Sequence, residues 1–248
     1  MRLGPGSARL GVIIALVAVW EEGVRLFGDP LFLSPPSKVA VALVGILADR
    51  AVIHALGTTL WELVAAFVLA LAVGLPVGLV LGLQRFARGS FYPIVIMLYA
   101  IPQATVLPLV ILVFGIGVAS KIAFGFTHAV FPIIVTIVAG VQNVKPALLI
   151  CARSMGANRR QVFWNVILPH MIPSFFTGLR LAMTADLLGV LLAELYVSQA
   201  GVGHYTRLFT ENFEPAKLFA LVACLAAIAV LLNELCRRAE RRMSRWHG

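Results

Sequence analysis

An all-α polytopic membrane protein is the fold class the sequence predicts, and three observations predict it. Of 248 residues, 60% are hydrophobic and 12% are charged, about half the roughly 25% charge of a soluble domain. The mean hydropathy is +0.96. The apolar residues gather into runs of roughly 20, the length at which a helix crosses a bilayer core, and charge, Gly or Pro separates the runs. Such spacing leaves no sizeable soluble domain, so a single transmembrane domain over 1–248 is expected. The net charge of +9 would suggest nucleic acid in a soluble chain. Here its placement in loops reports orientation instead, and no nucleic-acid partner is expected.

About six spans are expected, near 10–27, 56–83, 92–114, 119–141, 173–198 and 216–236. The first, "LGVIIALVAVW" after Arg2 and Arg9, imitates a secretory leader. No small-residue cleavage site follows it and Glu21-Glu22 come directly after, so a retained span is expected. Residues 28–54 open with turn residues and continue as "SKVAVALVGILADR", which predicts a short interfacial helix with Ser37 as N-cap. Arg85 and Arg88, Lys145, Arg153, Arg159 and Arg160, and the tail "RRAERRMSRW" all fall on the side of Arg2 and Arg9. Both termini and the 142–172 loop are therefore expected to be cytoplasmic.

Within the spans, Gly74, Gly78 and Gly82 recur every fourth residue and leave one helix face without side chains. Another helix can approach closely there, which is how helices adhere in lipid. Pro76, Pro93, Pro102, Pro108 and Pro132 predict kinked or opened helices that line a route. Cys151, Cys224 and Cys236 show no paired spacing and are expected to be small apolar fillers.

The polar stretch "ICARSMGANRRQVFWNVILPHMIPS", residues 150–174, interrupts this apolar chain. "ALLICARSM" suits two helical turns, and Gly156 is the residue type that most easily ends a helix in the left-handed conformation. Asn158 followed by Gln161 predicts a capping box for a second helix. Val162, Phe163, Val166 and Ile167 share its apolar face, and Leu168-Pro169 is expected to stop it. The product is a cytoplasmic helix-turn-helix lying along the membrane, one face held by the bundle and one end open to a partner.

Gly156 with Leu168 and Pro169 12 and 13 residues later, in a loop before the second-to-last span, resembles the "EAA…G…LP" signature of binding-protein-dependent ABC importer permeases. "ARSMGA" is similar to the "ARTLGA" common there. "IPQATVLPLVILVFGIGVASKIA", "GLRLAM" and "LLAELYVSQAGVGHY" resemble permeases of the nitrate, taurine and aliphatic-sulfonate branch. Two positions depart from the pattern: Ile150 stands where an acidic residue is usual, and Glu62 where an Arg is. The resemblance implies a type I importer permease fold with a coupling-helix loop at 142–172. Ala152, Arg153, Ser154, Met155, Gly156, Ala157, Leu168 and Pro169 would then couple to an ATPase. It implies a second copy of the chain, two cytoplasmic ABC ATPase subunits, an extracytoplasmic solute-binding protein and membrane lipid as partners, in a bacterial inner membrane. It further implies a small organic or inorganic anion as solute: a sulfonate, taurine, nitrate or a related carboxylate.

Several absences agree with this. No G-x-x-x-x-G-K-[ST] occurs and no Lys follows a Gly, so this chain binds no cofactor by that device; ATP and Mg would sit on the ATPase subunits. There is no H-E-x-x-H and no G-x-S-x-G, and His54, His128 and His204 are scattered, so neither a catalytic nor a metal site is expected. An ion-coupled secondary transporter is the alternative, but the inverted repeat and embedded charge network usual in one are not evident. Gln103, Thr105, Thr127, His128 and Thr184 are the hydrogen-bonding groups available to line a path, while Arg180 and Asp186 are the in-span charges to be explained, as a pair with each other or through helix contacts.

Overall fold

The structure, a computed structural model, describes residues 5–243, and these contain helices and connections but no strand. The chain divides into two compact units, residues 1–58 with 199–228, and residues 59–198 with 229–248.

In the first unit, α1 (Pro5–Phe27) is followed by the short α2 (Pro36–Ala48), and later by α10 (Val202–Glu211) and the first half of α11 (Pro215–Met243). The α2 start differs from expectation. Pro35 is the N-cap and makes no side-chain cap, with Pro36 in the first turn. Ser37 lies one position further in and donates both its backbone N–H (2.9 Å) and its Oγ (2.7 Å) to the Glu21 carboxylate of α1. A carboxylate from another helix thus satisfies the exposed donors of the α2 N-terminus and complements its dipole. Trp20 packs edge-on to Phe219, with centroids 5.7 Å apart.

The second unit takes α3 (Arg50–Leu83) from Thr59 onward, α4 (Arg85–Ala100), a 3-10 turn (Gln103–Val106), α5 (Leu107–Phe114) and α6 (Val118–Gln142). It continues with α7 (Pro146–Ser154), α8 (Arg159–Val162), a π-helical segment (Phe163–Ile167), α9 (Leu168–Val197) and the second half of α11. Helix α6 is its centre, buried along most of its length by Phe124, Ala129, Ile133, Ile137 and Val138. The stripe of small residues on α3 has its partner here. A Cβ on Gly74 would meet Ile133 at 3.0 Å, one on Gly78 would meet Ile137 at 2.9 Å, and one on Gly82 would meet Val141 at 2.9 Å. The matching four-residue steps set α3 and α6 side by side and parallel. Helix α9 also packs on α6 and runs antiparallel to it, since Gly140 faces Met171 and Ser174 while Gly125 faces Asp186 and Val190.

Among the described residues four helical runs are long and apolar enough to cross a membrane: Arg50–Leu83, Val118–Gln142, Arg159–Tyr196 and Pro215–Met243. The expected 92–114 run is not one straight helix. Helix α4 ends at Ala100 and the chain bends by 88° before the Gln103–Phe114 helices, which together with α4 make a fifth span if counted as one. Ile101 adopts ψ 131°, the extended conformation favoured before a proline, and Pro102 has no N–H with which to continue the ladder. Of the other prolines, Pro76, Pro93 and Pro132 lie inside continuous helices and Pro108 sits in the first turn of α5. Helix α1 has 23 residues but carries Glu21, Glu22 and Arg25 in its last turns.

Leu168-Pro169 does not end a helix, contrary to expectation. The chain runs on from α8 through the π segment into α9, and Pro169 falls in the first turn of α9. One wide π turn, in which the Leu168 N–H reaches back to the Phe163 carbonyl, loosens the ladder just ahead of the proline ring. The helix therefore absorbs Pro169 instead of stopping at it.

Candidate functional site

Two places in the second unit gather polar groups. One is the turn joining α7 to α8. Helix α7 closes at Met155, the Gly156 N–H bonds the Arg153 carbonyl at 2.9 Å, and the Ala157 N–H reaches the Ala152 carbonyl at 3.0 Å. Gly156 has φ +79°, left-handed backbone that a residue with a Cβ adopts at a penalty. Asn158 then caps α8. Its Oδ1 accepts from the Gln161 N–H at 2.9 Å, and the Gln161 Oε1 accepts from the Asn158 N–H at 2.8 Å, the reciprocal box the sequence predicts. Arg153, Ser154 and Gly156 are exposed and Met155 is 82% exposed, while Ala152, Ala157, Leu168 and Pro169 are half-buried. Val162 is buried, so the segment is held from one side and open on the other.

The other place is a buried polar belt where the N-terminal parts of α3 and α6 meet the C-terminal part of α9. Lys121 on α6 forms an ion pair with Glu62 on α3 and donates to the Ser198 Oγ at 3.2 Å. Beside it the Thr59 Oγ1 donates to the Glu194 Oε1 at 2.7 Å. Glu62 and Glu194 are fully buried and Lys121 is 2% exposed. Charges so far from water persist only when paired.

The path residues named from sequence are not brought together. Gln103 and Thr105 sit at the break after α4, half-buried and exposed respectively, and the Thr105 Oγ1 donates to the Pro102 carbonyl. Thr127 and His128 are on α6. The Thr127 hydroxyl donates to the Phe124 carbonyl at 2.8 Å, and the His128 Nδ1 meets that carbonyl at 3.0 Å. His128 is buried against Gly189 of α9. Thr184 is exposed on α9, bonded to the Arg180 carbonyl.

Arg180 does not pair with Asp186. Its guanidinium forms an ion pair with Glu240 of α11 and also donates to the Thr177 Oγ1 at 3.3 Å. Asp186 lies six residues further along the same helix, 2% exposed, and its Oδ1 has no hydrogen-bond partner. That oxygen rests on Gly125, where a Cβ would meet it at 2.5 Å. Both residues line a cavity of about 100 Å³, together with Leu63, Phe67, Thr184 and Asn233.

The Glu62–Lys121 pair and Glu194 went unpredicted, because Lys121 lies at the very start of the 119–141 run and Glu194 near the end of the 173–198 run, where a charge can reach the interface. One signal for the pair was present: a lone acid and a lone base lie near the starts of two spans expected to begin on the same side.

Residues 74–245 match the family model described as binding-protein-dependent transport system inner membrane component. The chain is 33% identical over 245 residues to the taurine transport system permease protein TauC of Escherichia coli strain K12, covering 96% of this chain and 89% of that one. It is 28% identical to the putative aliphatic sulfonates transport permease protein SsuC of Bacillus subtilis strain 168, covering 100% and 92%. Its fold resembles an inward-facing structure of the MetNI methionine ABC transporter, with TM-score 0.69, 19% identity and coverage of 79% of this chain and 97% of that one. Neither an enzyme nor an ion-coupled carrier is favoured by this set. The chain belongs to the binding-protein-dependent transport system inner membrane component family, and it is a multi-pass permease component of an ABC importer, an inner-membrane part in bacteria that works with a separate ATPase subunit and a solute-binding protein.

Proposed function

We propose that two copies of this chain form the translocation path, with both termini and the α7–α8 turn in the cytoplasm. Two ATPase subunits holding ATP and Mg engage Ala152, Arg153, Ser154, Met155, Gly156 and Ala157, and Leu168 and Pro169 join that element to α9. Six spans are counted when α1 and the bent α4–α5 pair each cross the lipid. The solute is a small anion, a sulfonate, taurine, nitrate or a related carboxylate; the likeness to the taurine and aliphatic-sulfonate permeases supports this class. Gln103, Thr105, Thr127, His128 and Thr184 contribute neutral hydrogen-bonding groups to the route.

The observation that carries the coupling role is the exposed turn with Gly156 at φ +79°. Two short helical pieces locked by a tight turn and a capping box move as a body, as a flexible loop would not, and α8 is continuous with α9 through the π segment. Gly156→Val tests it cleanly, because a Cβ there meets nothing within 4 Å and only the backbone is strained, by about 1–3 kcal/mol. The variant is expected to insert and assemble with the ATPases but to hydrolyse ATP without moving solute. Gly156→Asn, which tolerates the left-handed conformation, is expected to retain transport. Normal uptake by Gly156→Val would remove the turn from the mechanism.

A further inference from the structure

From Glu62 to Asp186 the sequence contains no acidic residue between the two. The α7–α8 element is therefore purely basic, with Lys145, Arg153, Arg159 and Arg160, and Ile150 on it is 65% exposed. Behind the turn lies a cavity of about 480 Å³ between the end of α3 and the α8–π segment. Arg153 and Arg159 line its polar part, and Leu83, Val162, Phe163 and Ile167 its apolar wall. Among the described residues no carboxylate lines it and neither guanidinium takes part in an ion pair. Arg159 stands moreover in the first turn of the long helical run Arg159–Tyr196, where the helix dipole disfavours a cation. Two unpaired guanidinium groups, one of them against its own dipole, mark a place prepared for an anion from outside the chain.

We propose that this cavity is a receptacle for an acidic side chain of the ATPase subunit, so that the electrostatic contact at the coupling surface has its base on the permease and its acid on the ATPase. The inference rests on the docking of the ATPase to the α7–α8 turn. A Glu or Asp with its methylene stem suits the cavity, since the carboxylate meets the guanidinium fork and the stem meets Val162, Phe163 and Ile167. A phospholipid phosphate would meet the same two arginines. The protein partner is favoured because the same element also holds out Met155 (82% exposed) and Ile150, and Arg with Met is the composition of protein interfaces.

The test uses the whole permease in nanodiscs, of phosphatidylcholine alone or with phosphatidylglycerol added, and measures association of the cognate ATPase subunit over a range of salt. Arg153→Gln with Arg159→Gln is expected to weaken association roughly tenfold or more in both lipids and to flatten its salt dependence. Arg153→Lys with Arg159→Lys is expected to keep most of the salt dependence. Elution as an intact assembly and an unchanged melting temperature identify folded variants, and Arg153→Gln alone, at an exposed position, serves if the double variant fails to fold. Unchanged affinity and salt slope overturn the proposal, as does a loss seen only with phosphatidylglycerol, which assigns the cavity to a lipid headgroup. Failure of the wild-type chain to bind the ATPase would instead overturn the docking on which the proposal stands.

Discussion

The α3–α6–α9 seam and the α7–α8 turn are built from similar residue types to opposite ends. At the seam, glycines remove side chains so that helices touch, and the Lys121 ammonium is paired within the chain, with Glu62. At the turn, glycine serves a left-handed backbone with open space around it, and Arg153 and Arg159 form no ion pair among the described residues. In lipid there is no hydrophobic drive between helices, so a seam must be self-sufficient through close packing and internal pairing. A turn that another subunit covers can leave its charges and apolar side chains exposed, to be satisfied on assembly. Self-sufficiency thus distinguishes the seam that holds this protein together from the turn proposed to transmit.

The sharpest way to break that contrast is at the buried pair. Lys121→Met leaves Glu62 fully buried with no countercharge among the described residues, at about 3–5 kcal/mol. Assembled protein recovered in detergent is expected to fall steeply. The companion change Glu62→Gln in the same chain is expected to restore most of it, since the uncompensated buried charge is then gone and only a neutral amide is left there. Full recovery of the single variant would show water reaching the belt, and the seam would not be self-sufficient.

Next in size is Gly125→Val. A Cβ there meets the Asp186 Oδ1 at 2.5 Å, Val190 at 2.6 Å and Ala66 at 3.0 Å, so α3, α6 and α9 are pushed apart together. Overpacking of this kind typically costs about 1–3 kcal/mol, read as a lowered melting temperature of the purified assembly. At the turn the same replacement, Gly156→Val, strains one residue and is expected to spare assembly while uncoupling transport. Equal melting temperatures for the two variants would erase the distinction between the regions.

Asp186 sharpens the contrast from the other side, because its carboxylate forms no ion pair among the described residues and its Oδ1 has no hydrogen-bond partner. Asp186→Asn replaces it with a neutral amide of the same shape, removing the penalty for burying charge. The melting temperature is expected to hold or rise and the order of solute preference to stay as it was. A changed solute order would place Asp186 on the route and favour cationic or zwitterionic cargo.

What was legible in the sequence divides along the same line. The Gly74–Gly78–Gly82 stripe, the Gly156 turn and the Asn158–Gln161 box follow from local stereochemistry, and the structure has each of them. The partner of the stripe, α6, was not legible, since four-residue spacing says that a helix approaches and not which one. Pairings across the fold were lost for the same reason: Arg180 finds Glu240, 60 residues on, while its nearer candidate Asp186 turns to Gly125. Leu168-Pro169 misled because the π turn that accommodates it is a packing solution without a sequence signature.

The smallest effect is expected from Asn158→Ala. The side chain is exposed, its Oδ1 holds one N–H at the start of α8, and the reciprocal bond from its own N–H to Gln161 survives its loss. An N-cap of this kind contributes about 1 kcal/mol, and the residues it orders are anchored further along by buried Val162 and the continuation into α9. The loss should therefore stay local. Amides of 159–162 are expected to exchange with solvent roughly fivefold faster, as about 1 kcal/mol implies, with the melting temperature barely moved and transport reduced in part. A fall in melting temperature as large as that of Gly125→Val would make the turn part of the self-sufficient seam, and an unchanged exchange rate would mean that the box does not hold it.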